Sequence, residues 1–200
     1  MSPRIIAGSA GGRRLAVVPG RVTRPTSDRT REGLFATVEA IRGRLAGTAV
    51  LDLYAGSGAV GLEALSRGAT DVLLVEADAK AARVIRTNIA ALGLTGARVV
   101  NGGVARALAA GPAGERPRDF VFADPPYRVD DGEIQDMLTA LLAGWLAPGA
   151  LVAVERATRS GAPTWPAGYE ADRSRRYGEA TIWYGLAAGA QPAAMSPTGA

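Results

Sequence analysis

Apolar segments and segments with helical spacing alternate along the middle of the chain. Near-continuous apolar runs predict strands over residues 49–54, 71–77, 97–100, 120–123 and 150–155. Between them, apolar residues at helical spacing predict helices over residues 59–67, 78–92, 104–109 and 130–145. Strands that are apolar throughout are typical of a parallel sheet with helices on both faces. The pattern therefore predicts an α/β fold.

The carboxyl-terminal part follows a different pattern. Residues 169–176 and 179–186 resemble two strands joined by a tight turn at Tyr177-Gly178, with no helix between them. This predicts an antiparallel hairpin at the end of the parallel sheet. Residues 187–200 are rich in Ala, Gly and Pro, and we expect them to be disordered.

The amino-terminal part predicts a hairpin arm followed by a helix. Two short β-type runs, residues 4–8 and 14–18, flank a glycine-rich turn, and so small an arm must lie on the body of the protein or on a partner. The helix is predicted to start at a cap formed by Thr26, Ser27 or Asp28. Its apolar residues recur at helical spacing at Leu34, Val38, Ile41 and Leu45.

The chain lacks both cysteine and histidine. This excludes disulfides, cysteine nucleophiles and histidine bases, and we expect no metal site. Catalysis must then depend on carboxylates, backbone groups, positioning and a cofactor. Two hundred residues with 48% hydrophobic content suit one domain, and no signal peptide or bilayer-spanning run is evident. We therefore expect a cytoplasmic protein without a membrane partner.

Positive charge is concentrated at the amino terminus. Residues 1–44 contain nine arginines and three acidic residues, giving 9 − 3 = +6, whereas the remainder has 14 basic and 16 acidic residues, giving −2. Such a distribution is expected for an arm that meets phosphates, the alternative being a basic surface exposed only to solvent. The arginines predicted to make these phosphate contacts are Arg4, Arg13, Arg14, Arg24, Arg29 and Arg31.

A glycine turn, Gly56-Ser57-Gly58, follows the first apolar strand. In open α/β sheets ligands bind at the carboxyl ends of the strands, where glycines and a helix N-terminus let the backbone approach them closely. Glu76 ends the next strand, where a carboxylate can accept both hydroxyls of a ribose. These residues predict a cofactor that contains adenosine.

The glycine loop alone leaves the kind of cofactor open. Gly56, Gly58 and Gly61 match the dinucleotide fingerprint G-x-G-x-x-G, so a nicotinamide cofactor is an alternative. Asp52 argues against it, because a carboxylate that faces the loop would repel a pyrophosphate but suits an ammonium group. The carboxyl-terminal hairpin is also unusual for a dinucleotide fold. Together these features favour S-adenosylmethionine.

The tetrapeptide Asp124-Pro125-Pro126-Tyr127 follows the fourth apolar strand. Two consecutive prolines fix two φ angles and remove two N–H donors, which leaves carbonyl groups without a local partner. With a carboxylate and an aromatic ring beside them, these carbonyls can hold a flat ring that bears an amine. We predict that Asp124 and the Pro125 carbonyl accept the N–H bonds and that Tyr127 stacks on the ring. A simple tight turn is the alternative.

The two motifs carry a family resemblance. Residues 51–58 with Asp124-Pro125-Pro126-Tyr127 resemble class I S-adenosylmethionine-dependent methyltransferases that act on exocyclic amines. Residues 4–15 and 24–35 resemble the RsmD family, bacterial enzymes that methylate N2 of one guanine in 16S rRNA of the small subunit. The likeness covers about residues 4–186.

The resemblance implies a class I methyltransferase (Rossmann-like) fold. Its seven-stranded, mostly parallel sheet would carry the carboxyl-terminal antiparallel hairpin, with the β-hairpin arm and a helix at the amino terminus. We divide the chain into a basic RNA-binding arm over residues 1–26, a methyltransferase domain over residues 27–186 and a disordered tail over residues 187–200.

The resemblance also implies the reaction and its participants. The cofactor would be S-adenosyl-L-methionine, and the partner would be 16S rRNA within the 30S subunit or its assembly intermediate, with the enzyme acting as a monomer. The catalytic residues would be Asp124, Pro125, Pro126 and Tyr127. The cofactor would contact Asp52, Tyr54, Ala55, Gly56, Ser57, Gly58, Glu76, Ala77 and Thr26. Where many relatives bind the adenine amine, this chain has Asn101-Gly102-Gly103, so that contact stays open.

Other functions remain alternatives at this point. An amino-methyltransferase of DNA or RNA with another base specificity, such as adenine N6, shares the tetrapeptide. DNA enzymes of this kind usually carry a separate target-recognition domain, for which 200 residues leave no room. A nicotinamide-dependent oxidoreductase would have no use for the tetrapeptide, and a non-catalytic RNA-binding assembly factor would bind RNA without methyl transfer.

Overall fold

A computed structural model describes residues 2–18 and 27–188 of the chain. The strands are β1 (Ala49–Leu53), β2 (Asp71–Glu76), β3 (Ala97–Asn101), β4 (Arg118–Ala123), β5 (Leu146–Ala157), β6 (Tyr169–Tyr177) and β7 (Ala180–Ala187). The helices are α1 (Asp28–Arg42), α2 (Ala59–Ser66), α3 (Ala79–Leu92), α4 (Val104–Ala109) and α5 (Asp131–Leu142), and a 3₁₀ turn, Thr158–Ser160, follows β5.

All seven strands form one sheet in the order β3-β2-β1-β4-β5-β7-β6. The first five strands are parallel, and β7 and β6 are antiparallel additions to β5. This confirms the predicted α/β sheet and its carboxyl-terminal hairpin. Because β1, β2, β4 and β5 share one direction, their carboxyl ends meet at a single edge of the sheet, which we call the carboxyl edge.

Each face of the sheet has its own apolar core. One core contains Leu34, Phe35 and Val38 of α1 together with residues of α2, α3, β5 and β7. The other contains Ile134 and Leu138 of α5 together with residues of α4, β1, β2, β4 and β5. Burial of both faces explains why the central strands are apolar at nearly every position, Asp52 of β1 being an exception.

The helices start where the sequence offers a cap. The Ser27 side chain accepts a hydrogen bond from the Thr30 amide and so begins α1. The Asp78 side chain does the same for the amides of Lys80 and Ala81 at the start of α3. Asp130 and Glu133 form a reciprocal capping box at α5. Of the three candidate caps for α1, the serine is the one used.

The end of α5 differs from the prediction. The helix ends at Leu142 rather than near residue 145, and β5 already begins at Leu146. Gly144, with φ +94°, turns the chain, and the carbonyl of Trp145 accepts a hydrogen bond from the amide of Arg118 at 2.7 Å. The Pro148-Gly149 pair therefore lies inside β5, beside a register shift against β4, and does not separate a helix from a strand.

The amino-terminal arm is a hairpin with little strand pairing. Arg4 and Arg14 form an isolated antiparallel bridge, and the Ile5 amide donates to the Arg13 carbonyl at 2.9 Å. The arm lies on the body of the protein, because Ile5 and Leu15 are buried in the core that contains α1. Side chains of α2 and α3 bind much of its backbone, which explains why regular strands do not form there.

Smaller differences concern the boundaries. Leu45 lies beyond α1, Tyr54 has a φ of +61° and lies beyond β1, and β7 extends to Ala187, one residue into the predicted tail. The Ala188 amide, also in that tail, donates to the Gly168 carbonyl at 2.8 Å, and residues 189–200 lie outside the described residues. Across residues 2–18 and 27–188, no helix has the length and apolar character needed to span a bilayer.

Candidate active site

The strand register aligns four polar or aromatic residues along the carboxyl edge. Leu53 pairs with Val75 on one side and with Ala123 on the other, and Ala123 pairs with Val154. The residues that follow these four positions are therefore neighbours, in the order Glu76, Tyr54, Asp124 and Glu155. The sheet thus brings the predicted cofactor residues and the predicted catalytic tetrapeptide to one place.

The loop between β1 and α2 turns by left-handed backbone conformations. Gly56 and Gly58 have φ values of +58° and +79°, and Gly58 is the N-cap of α2. A Cβ built on Gly56 would meet nothing closer than 4.0 Å, so this face of the loop is open to a ligand. A Cβ on Gly58 would lie 3.1–3.3 Å from Ile85, Leu74 and Leu62. Gly56 therefore leaves room for a ligand. The absence of a side chain at Gly58 lets Ile85, Leu74 and Leu62 pack closely against the loop.

Asp52 is a buried carboxylate beneath this loop. Its side chain is 2% exposed, and its Oδ2 accepts a hydrogen bond from the amide of Gly61 at 2.8 Å. Burial raises the pKa of Asp52 to about 7, the Gly61 hydrogen bond opposes this, and the nearby Glu76 adds to it. Such a group gains from a cation placed beside it.

Glu76 bridges the glycine loop and the start of α3. Its Oε2 accepts from the Gly56 amide at 2.7 Å and its Oε1 from the Asp78 amide at 2.8 Å. A carboxylate has about four acceptor sites, so each oxygen keeps capacity for a hydroxyl. The geometry fits the predicted ribose contact and adds a second task, the orientation of the glycine loop.

The side chain of Asn101, at the position where the sequence left the adenine contact open, is bonded to the protein's own backbone. Its Nδ2 donates to the carbonyls of Glu76 and Ala77 at 2.9 and 3.1 Å. The amide of Gly102 donates to the same Glu76 carbonyl at 3.0 Å. These bonds fix the ends of β2 and β3 against each other. Asn101 therefore orders the wall beside Ala77.

The tetrapeptide leaves the sheet as the sequence predicts. The Asp124 amide still donates to the Leu53 carbonyl at 3.5 Å, and the chain then turns outward, closed by a hydrogen bond from the Val129 amide to the Pro126 carbonyl at 2.9 Å. Asp124 and the prolines are half-buried, whereas Tyr127 is 73% exposed. An exposed tyrosine ring beside a carboxylate is the arrangement that stacking on a base requires.

An ion pair supports the turn from the neighbouring strand. Arg156, near the end of β5, is 8% exposed, pairs with Asp131 at the start of α5, and donates to the Ala162 carbonyl at 3.1 Å. With the two prolines and Tyr127 it lines a small cavity of about 30 Å³. The pair fixes the start of α5 and the loop after β5 on either side of the tetrapeptide.

The predicted RNA-binding arginines that the structure describes differ in their exposure and in their contacts. Arg4, Arg14 and Arg29 are exposed, and Arg4 pairs with Asp28 at 3.3 Å. Arg13 is also exposed, but its guanidinium donates to the Ala91 and Leu92 carbonyls in the last turn of α3. That turn lies at the opposite end of α3 from the carboxyl edge.

Arg31 is a correction to the prediction. Its side chain is fully buried, pairs with Asp28 at 2.6 Å and donates to the Arg4 carbonyl at 2.6 Å. Burial lowers its pKa, and Asp28 and Glu63 oppose that shift. Its guanidinium cannot reach an external phosphate, so its task is to hold the arm against α1. Arg24 and Thr26 lie outside the described residues.

The sequence did not indicate the residues that hold the arm. Glu63 of α2 accepts from the Ile6 and Ala7 amides at 2.6 and 3.0 Å, and Ser66 accepts from the Ala10 amide at 2.9 Å. Asn88 of α3 bonds both backbone groups of Ala16 and also donates to the Ser57 carbonyl. The contacts with the arm join positions 56 to 72 residues apart in the chain, which no local pattern signals.

The donor set fits an organic cofactor. Among residues 2–18 and 27–188, no group of three or more acidic side chains could hold a metal ion. The buried Asp52 suits a cation, the lone pairs of Glu76 suit hydroxyls, and the open face of Gly56 admits a close approach. These features match a ligand that carries an ammonium group and a ribose.

Comparisons with known proteins give the same picture. A family model described as conserved hypothetical protein 95 matches residues 3–185. Ribosomal RNA small subunit methyltransferase D of Escherichia coli K12 is 39% identical over 177 residues, which cover 88% of this chain and 85% of that protein. The Haemophilus influenzae protein of the same name is 36% identical over 156 residues, 76% of this chain and 77% of that one.

A solved structure agrees over nearly the whole chain. The Escherichia coli protein yhhF superposes with a TM-score of 0.80 at 35% identity, covering 94% of this chain and 99% of that one. The sheet order, the glycine loop and the tetrapeptide at the carboxyl edge define a class I methyltransferase. Within that class, the chain belongs to the conserved hypothetical protein 95 family, which the sequence resemblance indicated as the RsmD family.

Proposed function

We propose that the enzyme transfers a methyl group from S-adenosyl-L-methionine to the exocyclic N2 amine of one guanine in 16S rRNA. The observation that carries the chemistry is the register that places Asp124-Pro125-Pro126-Tyr127 beside the loop of Gly56 and Gly58. The choice of substrate rests on relatives named ribosomal RNA small subunit methyltransferase D.

The cofactor site is assigned to three kinds of group. Asp52 holds the ammonium of the methionine part, Glu76 accepts the ribose hydroxyls, and the backbone from Tyr54 to Gly58 lies against the rest. Thr26 and Ala77 complete the proposed set. When bound, the cofactor supplies a methyl group that is already a strong electrophile.

The protein's own task is to prepare the amine. The N2 lone pair of guanine is delocalised into the ring, and positive charge develops on nitrogen as the new bond forms. Asp124 and the Pro125 carbonyl accept the two N–H bonds, which orients the lone pair and stabilises that charge. Pro126 fixes the direction of the turn, and Tyr127 stacks on the base once it leaves its neighbours. Alignment of the guanine N2 with the methyl group would supply the remainder of the rate enhancement.

The partner is proposed to be 16S rRNA within the 30S subunit or an assembly intermediate, met by a monomer in the cytoplasm. Arg4, Arg14, Arg24 and Arg29 are the proposed phosphate contacts of the amino-terminal part, whereas Arg13 and Arg31 hold the arm in place. This keeps residues 1–26 as the RNA-binding arm and residues 27–186 as the catalytic domain, with the arm anchored on the body.

Methyl transfer to unmethylated 30S particles and to naked 16S rRNA tests the proposal. Labelled methyl should appear in N2-methylguanosine when the nucleosides are separated and identified by mass spectrometry. Methyladenosine as the product would move the enzyme to another base specificity. Binding of a nicotinamide dinucleotide, with no methyl transfer, would favour the oxidoreductase instead.

The variant Asp124→Ala separates catalysis from binding. It should lose nearly all methyl transfer while its cofactor affinity, measured by calorimetry, stays within about twofold because the Asp52–Gly58 region is untouched. Asp136→Ala, which removes an exposed carboxylate of α5, is the matched control and should behave like the wild type. Near wild-type turnover of Asp124→Ala would disprove the assigned role.

A further inference from the structure

The edge strand β6 carries positive charge that the proposed function does not yet use. Residues 170–176 of this strand are all exposed. Arg173 pairs with Tyr184 and Arg175 with Ile182 across the β6–β7 ladder. Tyr184 and Ile182 belong to the apolar core that contains α1. Both arginines therefore project on the face of the sheet that α1 covers.

Helix α1 packs against the end of β6, on the same face of the sheet as these arginines. A Cβ on Gly33 would lie 2.3 Å from the Tyr177 hydroxyl, so α1 and the end of β6 are in contact there. We call the surface that Arg173, Arg175 and Tyr177 form beside α1 the α1–β6 groove.

The acidic residues of α1 are directed elsewhere. Glu32 and Asp28 line a different groove beside the arm, and Asp28 pairs there with Arg4 and Arg31. Glu39 pairs with Arg67 beyond α2 at 3.1 Å. On β6, Glu170 lies toward the opposite end of the strand, and Asp172 pairs locally with Arg173. Across the described parts of the chain, Arg175 forms no ion pair, so its positive charge in the groove is not neutralised by a neighbouring carboxylate.

The groove leads to the active site. Tyr177 pairs with Ala180, and Ala180 pairs with Ala157 at the end of β5. β5 in turn pairs with β4, which carries Asp124 at its end. Arg173 and Arg175 are about 6.6 Å apart along an extended strand, so each can hold a separate phosphate. A strand of nucleic acid that places a base at Asp124 can continue down the groove.

We propose that the α1–β6 groove binds the phosphate backbone of the RNA beside the target guanine. This inference rests on the proposed function, because it takes RNA as the substrate. It adds Arg173 and Arg175 to the contacts of the amino-terminal arm. The RNA then meets the enzyme on both sides of the cleft, from Arg4 and Arg14 on one side and from the edge strand on the other.

The double variant Arg173→Gln/Arg175→Gln tests the groove by the salt dependence of RNA binding. Each phosphate contact contributes about 0.7 to the slope of log K against log salt for a single strand, so the slope should fall by about 1.4. The KM for RNA should rise roughly tenfold at physiological salt while the KM for the cofactor is unchanged. Arg83→Gln/Arg106→Gln removes the same charge from exposed positions of α3 and α4 and should leave the slope as in the wild type.

Two results overturn the inference. A slope equal to that of the Arg83→Gln/Arg106→Gln control means that the groove does not hold phosphates. Self-association of the Arg173→Gln/Arg175→Gln variant with an unchanged slope means that the arginines only protect an edge strand from pairing. If the wild type methylates small-subunit RNA and either result is obtained, only the groove is rejected. If the wild type methylates no small-subunit RNA at all, the proposed function fails with it.

Discussion

Asp52 accepts a hydrogen bond from the amide of Gly61 at 2.8 Å inside the apolar core. The carboxylate belongs to β1 and the amide to the first turn of α2, so the bond spans the loop that is proposed to bind the cofactor. One hydrogen bond and a helix N-terminus do not replace water around a buried charge, which is why burial raises the pKa of Asp52 to about 7. The unfavourable burial of the Asp52 carboxylate therefore lies at a place where a bound cation would offset it.

Stability should therefore fall as pH rises through the range in which Asp52 ionises. An unfolded aspartate titrates near pH 4, whereas the folded one holds its proton to about pH 7, so the folded state binds more protons between these values. The folding advantage is complete below pH 4, declines up to about pH 7 and is then level. Asp52→Asn lacks this decline. Relative to the wild type, its unfolding free energy should gain about 2–4 kcal/mol between pH 4 and pH 8.

Urea unfolding of both proteins at several pH values measures the difference. Asp136→Asn, at an exposed position of α5, is the control and should show a difference from the wild type that is nearly independent of pH. A constant difference for Asp52→Asn as well would mean that Asp52 is ionised throughout and that its burial is offset by other groups.

Cofactor binding should release a proton from Asp52 near pH 6. If its carboxylate holds the ammonium group, binding favours the charged form, and the affinity should rise between pH 6 and pH 8 before it levels off. Calorimetry in two buffers with different ionisation enthalpies counts the protons released. The wild type should release close to one proton at pH 6 and few at pH 8, whereas Asp52→Asn should show no such change. Equal proton release by the variant would assign the titration to another group.

The central part of the fold could be predicted because its signals are local. Apolar runs mark β1, β2 and β4, and the caps Ser27, Asp78 and Asp130 mark helix starts. Pro148-Gly149 misled the prediction because the pairing of Trp145 with Arg118, 27 positions earlier in the chain, overrides a turn signal that is sound by itself. Tertiary contacts decided that boundary, as they often do for short segments.

The residues that the sequence proposes for the site lie together in the structure, but the residues that support them could not be predicted. The glycines and the tetrapeptide could be singled out from the sequence, because few other residues fit those backbone positions. The sequence does not show whether a charged side chain is buried. Arg31 is fully buried and Arg29 is exposed, although they lie two positions apart in one helical turn. The tasks of Glu63 and Asn88 depend on backbone groups of a distant arm, which single-residue patterns cannot show.

Gly61→Ala should destabilise the protein, although alanine favours helices. A Cβ at this position would lie 2.8 Å from Leu74 Cδ2 and 3.0 Å from Val72 Cγ1, where α2 packs closely on β2. Overpacking of this kind costs about 1–3 kcal/mol. Gly132→Ala in α5 meets only an aspartate oxygen at 3.3 Å and should be neutral or stabilising by up to about 1 kcal/mol. Thermal unfolding of both variants checks the contrast, and equal effects would show that α2 can move away from the sheet.

Asn88→Ala should loosen the arm and the cofactor loop together. Asn88 is 2% exposed, its Oδ1 accepts from the Ala16 amide at 2.8 Å, and its Nδ2 donates to the carbonyls of Ala16 and Ser57 at 3.0 Å each. Loss of these three part-buried hydrogen bonds should lower the unfolding free energy by about 2–4 kcal/mol. Asn88→Asp should be worse at pH 7, because a carboxylate would then face two carbonyl oxygens.

Three measurements distinguish an Asn88 side chain that joins the arm to the cofactor loop from one that is only buried. Hydrogen exchange at the Ala16 amide should become faster in Asn88→Ala than in Thr87→Ala, which alters an exposed neighbour on α3. Cofactor affinity should fall severalfold in the same variant, because the Ser57 carbonyl loses its anchor. The coupling between RNA binding and cofactor binding, measured as the ratio of RNA affinities with and without cofactor, should shrink toward one. Unchanged coupling, with only the stability reduced, would limit Asn88 to a packing role, since a side chain that joins the two segments must change how each responds to the other.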